Sequence, residues 1–116
     1  MPVDAGLVAW VAEAMEALGA VTSRAMMGGA TLYCDGRVFA IVADDALWFK
    51  ADRVSDAVWD AAGCERFSYA RDGGTATMNY RRAPDDAYDD ADALRRWARL
   101  ALEAGARAPA KRKRRS

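Results

Sequence analysis

The chain has 116 residues, enough for one domain that buries about two-thirds of its unfolded surface, and 53% hydrophobic content argues for a folded globule over disorder. Its formal neutrality hides an asymmetry. Residues 1–105 hold all 17 acidic side chains and 11 of the 17 basic ones, whereas residues 106–116 hold six bases and no acid. The pattern predicts an acidic domain at 1–105 and a disordered basic tail at 106–116. No apolar run approaches the ~20 residues of a membrane span. No basic region precedes an apolar segment at the N-terminus, so the expectation is a cytoplasmic protein with no membrane contact. Two cysteines, Cys34 and Cys64, do not make a disulfide framework, and the reading is two reduced, partly buried thiols. Histidine is absent, which removes the commonest general base and metal ligand.

Asp4 is placed to cap a helix running to about Leu18, with Gly19 as its stop. Leu7, Val8, Val11, Met15 and Leu18 share one face of it, and Trp10 lies at the border of that stripe. Val21 to Arg24 leads into Met26-Met27-Gly28-Gly29, read as a bulge or strand entry. The phosphate-loop spacing is missing there.

Three strands follow within Met26–Lys50, joined by tight turns at Asp35-Gly36 and Asp44-Asp45. Two-residue loops pair Leu32 with Phe39 and Ile41 with Trp48. One face then carries Leu32, Phe39, Ile41 and Trp48; the other carries Tyr33, Val38, Ala40, Val42, Leu47 and Phe49. Neither face is polar, although an antiparallel sheet with one wet face alternates. Both faces therefore need cover, from helices or from a partner. Tyr33, Val38, Val42, Leu47 and Phe49 form the candidate partner or dimer surface.

Asp52 is read as the cap of a second short helix, with Val54, Ala57, Val58 and Ala61 inward. Period-two runs at Phe67 and Tyr69, then Ala76, Met78 and Tyr80, predict a longer-looped hairpin that Pro84 ends. A final helix starts near Asp86 to Asp90 and runs to Glu103, with Leu94, Trp97, Leu100 and Ala101 on one face and Gly105 at its end. The predicted class is α+β: a two-layer, antiparallel five-stranded sheet with three helices, in the order α-β-β-β-α-β-β-α.

No catalytic residue, cofactor site or metal site is assigned. The pairs Asp44-Asp45, Asp85-Asp86 and Asp89-Asp90 fall at turns and helix starts, where aspartate bonds the local backbone. Lys111, Arg112, Lys113, Arg114 and Arg115 are candidate polyanion contacts, able to give weak, sequence-independent binding to nucleic acid.

Several of these segments together resemble the TfoX/Sxy N-terminal-domain family, named after bacterial regulators of competence for DNA uptake. They are Ser23-Arg24-Ala25-Met26-Met27-Gly28-Gly29, Leu32 to Ala40, Asp44 to Leu47, Lys50, Asp52, Met78-Asn79-Tyr80, Pro84 and Trp97-Ala98-Arg99. The resemblance spans about residues 5–104. Met27, Ala30 and Arg81 depart from the family's usual larger or aromatic residues. The resemblance implies a secretion-chaperone-like fold and brings no catalytic residues. The full-length regulators carry a second, C-terminal domain that the resemblance does not reach, so their transcriptional role in competence is not expected to transfer. The expected role is therefore a non-enzymatic regulatory or adaptor domain meeting a protein partner or a second copy of itself. The alternative is nonspecific nucleic-acid binding through the tail.

Overall fold

The computed structural model describes residues 5–26 and 28–108. In chain order they form α1 (Ala5–Ala14), β1 (Val21–Met26), β2 (Gly29–Cys34), β3 (Arg37–Ala43), β4 (Ala46–Lys50), α2 (Asp56–Ala61), β5 (Arg66–Arg71) and β6 (Gly74–Arg82). A 3-10 turn at Asp85–Tyr88 then leads to α3 (Ala91–Arg107). The strands make one antiparallel sheet in the order β1-β2-β3-β4-β6-β5.

The class is as expected, but the sheet has six strands and not five. The added strand is β1, which pairs with β2 from Val21↔Cys34 to Met26↔Gly29. Its sequence, Val-Thr-Ser-Arg-Ala-Met, is mostly exposed at the sheet edge and lacks the apolar signature of a buried strand. Asp35 and Gly36 adopt positive φ, as do Asp44 and Asp45, so both expected two-residue turns form.

The register holds at Ile41↔Trp48 and Val42↔Leu47 but not at Phe39. Tyr33 faces Val38, whereas Leu32 faces Ala40, so Phe39 is the extra residue of a bulge. The bulge redistributes the expected faces. Leu32 and Phe39 join Val42, Leu47 and Phe49 in the main core, all at most 2% exposed. Tyr33 and Val38 pair on the opposite face, that of Ile41 and Trp48.

The helices cover the core face. α3 turns Leu94, Ala98 and Ala101 onto β3 and β4, and its small residues allow a close approach. The helix passes through Gly105 to Arg107, so Gly105 does not end it, and the expected boundary at residue 105 falls inside it. A methyl at Gly105 would lie 3.3 Å from Arg37 Cδ and 3.4 Å from the Val38 carbonyl oxygen. Glycine serves contact with β3 there, not helix termination. Asp90 caps α3 by accepting from the Ala93 N–H at 3.1 Å.

α2 packs by a different face from the one expected. Val54 and Val58 are exposed, at 68% and 45%, and Trp59 is the buried residue. The Trp59 ring stacks between Phe49 at 5.8 Å and Trp97 at 5.3 Å. Asp52 and Ser55 exchange hydrogen bonds in a turn before the helix, which delays its start to Asp56 and rotates Trp59 inward.

Candidate functional site on the open face of the sheet

Alternation along the paired strands puts Met26, Tyr33, Ile41, Trp48, Lys50, Phe67, Tyr69, Met78, Tyr80 and Arg82 on the face opposite the helices. That face is held together by its own side chains. Ile41, Ala46, Trp48 and Phe67 form a second buried cluster, joined by Ala43, Met78 and Tyr80. The Trp48 and Phe67 rings meet edge to face at 5.0 Å, and Phe67 stacks on Tyr69 at 6.1 Å. Trp48 Nε1 donates to the Ala43 carbonyl at 3.0 Å, which fixes the indole across the β3–β4 turn.

Cations lie on the rings. Arg82 sits 5.7 Å from the Trp48 ring and Lys50 Nζ 5.6 Å from the Tyr80 ring. Burial, with the nearby Tyr33 phenol, pushes the Tyr80 hydroxyl above its ordinary pKa. Tyr80 therefore remains a neutral donor across the physiological range.

A cleft of about 550 Å³ opens at one end of this face. Its lining includes Met26 and Gly29 from β1 and β2, Ala43 and Asp44 at the end of β3, Phe67 to Ala70 of β5, and Met78 of β6. β1 and β5 are opposite edges of the strand order. A flat six-stranded sheet would hold them about 24 Å apart at 4.8 Å per strand. Their meeting in one cleft means that the sheet curls strongly toward its helix-free side. Gly29 has no freedom to carry a side chain there, because a methyl would collide with the Val42 carbonyl oxygen.

Of the five sequence-nominated surface residues, Val42, Leu47 and Phe49 are buried under α3 at 2%, 0% and 0%. They are core and offer nothing to a partner. Each contributes about 1.5–3 kcal/mol by its burial. Tyr33 and Val38 reach the open face and are half-buried. The apolar face free of helices exists, but its membership was assigned across the bulge. Met26, Tyr69 and Met78, absent from the nominated set, line the cleft instead. The period-two run at 67–80 was the signal for two of them. The tail cations Lys111 to Arg115 lie outside the described residues, as do Asp4 and Met27.

Other polar groups join elements of the fold. Arg81, 2% exposed, bonds Asp60 at 2.6 Å, Asp56 at 3.0 Å and the Cys64 carbonyl at 3.0 Å. It ties α2 to the sheet, and the departure from an aromatic at this position is thereby explained. Cys34 and Cys64 are free and buried, and burial pushes both thiols up, away from thiolate reactivity. Among the described residues no helix is long and apolar enough to cross a membrane.

Residues 8–105 match the family model for the TfoX N-terminal domain. The chain belongs to the TfoX N-terminal domain family. A curated relative, the DNA transformation protein TfoX1 of Aliivibrio fischeri (strain ATCC 700601 / ES114), is 35% identical over 63 residues. That alignment covers 54% of this chain and 30% of the relative, so the chain spans under a third of the protein it matches. The matched TfoX N-terminal region includes both layers, from the second turn of α1 to near the end of α3.

Proposed function

We propose that this TfoX N-terminal domain is a non-enzymatic regulatory or adaptor module that works in the cytoplasm by receiving a protein partner on its open sheet face. The observation that carries the reading is the curled, helix-free face with its aromatic cluster and apolar cleft. Half-exposed Met26 and Tyr69 flank a preformed apolar concavity, the arrangement that anchors a partner's side chains. Family membership supports a competence-related role, since the relative's name refers to DNA transformation.

The test is affinity capture from the native cell with wild-type protein, with Met26→Glu/Met78→Glu, and with Val58→Glu on the outer side of α2. The expected result is a specific protein retained by wild type and Val58→Glu and lost from the double variant. Equal retention by all three would overturn the reading.

A second reading rests on the consecutive cations Lys111 to Arg115, which could neutralise several phosphates. It predicts salt-sensitive DNA binding that disappears on truncation at Ala106. Unchanged binding by the truncated chain would remove it.

A further inference from the structure

We infer that the cleft receives an arginine side chain carried on an apolar segment of the partner, with its stem among the methionines and its guanidinium between Asp44 and Tyr69. The inference rests on the protein-interaction reading above and adds the chemistry of the partner's anchor.

Asp44 is the one charged residue among those that line the cleft. It sits at φ 54° in the β3–β4 turn and is exposed. Its counterpart in the β2–β3 turn, Asp35, accepts from the Ala20 N–H at 3.0 Å. The Asp44 carboxylate has no hydrogen bond or ion pair among the described residues. An occupant that fills the cleft displaces water from this carboxylate. A wholly apolar occupant would strand it, and an acidic one would set a second anion beside it, with no cation in the lining to offset either. A cation replaces what the water supplied, and its hydrogen bonds to a carboxylate are roughly twice as strong as neutral ones.

The rings give a second observation. Arg82 lies on Trp48 and Lys50 on Tyr80, so those rings already hold the protein's own cations. Tyr69, 38% exposed at the cleft, carries none among the described residues. A guanidinium is planar, stacks on an aromatic face and forks onto a carboxylate, which an ammonium does not. Met26 and Met78 suit its unbranched stem, since thioether chains adapt to irregular apolar shapes. The cleft is of ligand-pocket size, about 550 Å³ within a usual range of ~300–1,000 Å³. An arginine therefore enters it with apolar neighbours and not alone.

The chain's own cations are poor occupants. Arg24 of β1 and Arg71 of β5 are exposed and stand outside the lining. Lys111 to Arg115 follow one another with no apolar residue between them. They would bring more cations than one carboxylate can pair into a cleft that is otherwise apolar.

The probe is the peptide Gly-Ser-Leu-Arg-Leu-Gly-Ser, titrated into the isotope-labelled full chain and followed by amide chemical shifts. Its companion carries citrulline, the neutral isostere, in place of arginine. The expected result is shifts concentrated at Ala43, Asp44, Tyr69 and Met78, with the arginine peptide bound about tenfold or more tighter than the citrulline peptide. Asp44→Asn, which keeps the turn because asparagine tolerates positive φ, should erase that preference. Asp45→Asn, outside the lining, should retain it.

Equal affinity for the two peptides, a preference that survives Asp44→Asn, or no shifts at the cleft of the folded protein would overturn the inference. So would binding seen only after Lys111 to Arg115 are changed to serine in the full-length chain, which would make the tail the occupant. If any of these occurs while Met26→Glu/Met78→Glu still abolishes capture of the cellular partner, the arginine anchor fails and the broader reading stands. If that double variant also captures normally, both fall.

Discussion

A guanidinium that is 2% exposed must find acceptors on several sides, and Arg81 finds them on α2, on the Cys64 carbonyl and on Asn79. Its two carboxylates are unequal, since Asp60 is 67% exposed and Asp56 is 24% exposed. Removing both carboxylates strands a buried cation, whereas removing the cation leaves groups that water can still reach. Asp56→Ala/Asp60→Ala should cost about 3–5 kcal/mol in denaturant unfolding, and Arg81→Met clearly less. Gly29→Ala should cost about 2 kcal/mol or more in the same assay, because the methyl meets backbone that cannot swing aside. Asp52 accepts two bonds from Arg107, at 2.7 and 2.8 Å, and these hold its carboxyl well below the usual carboxylate range. A depressed folded-state value gives stability that is complete above the unfolded value of about 3.9 and fades as pH falls toward the folded one. The stability difference between wild type and Asp52→Asn should therefore be constant from pH 7 to pH 5 and shrink below about pH 4.

At the scale of elements, α2 is six residues long and could not persist alone. It is held by the Trp59 ring between Phe49 and Trp97 and by the Arg81 ion pairs. Trp59→Leu should cost about 3 kcal/mol in thermal or denaturant melts, with α2 amides losing hydrogen-exchange protection before those of β3 and β4. The elements also show what the sequence makes legible. The turns at Asp35-Gly36 and Asp44-Asp45 are local chemistry and read directly. The α1 stripe reads in part: Val11 is fully buried, but the helix ends at Ala14 and not near Leu18, and the fully buried Met15 lies in the turn after it. The bulge at Phe39 is a register shift between β2 and β3, and no residue near it announces it. β1 is polar because it is an edge, and α2 turns its one large ring inward against its valines because the core lies on that side.

For the whole molecule, the apolar content on both faces of the Met26–Lys50 meander is legible in the sequence, which leaves open whether helices or a partner cover the second face; in the structure the helices lie on one face alone among the described residues. The cleft was not legible, because it depends on the curl that brings β5 near the β1–β2 turn, far apart in sequence. An uncovered apolar cleft should bind a fluorescent hydrophobic dye in the native state. Met26→Glu/Met78→Glu should abolish most of that signal without lowering the melting temperature, since both residues are only partly buried.

The Asp52–Arg107 clasp joins the turn after the fourth strand to the last turn of the last helix. The first four strands are sequential neighbours and can pair as soon as they are synthesised. Their inner face, however, is roofed by α3, which is made about fifty residues later at 5–20 residues per second. A nascent chain therefore spends seconds as a sheet whose inner side has α1 but not yet α3 to cover it. During that interval Val42, Leu47 and Phe49 are as available to a chaperone, or to another nascent copy, as the permanent cleft is in the finished protein.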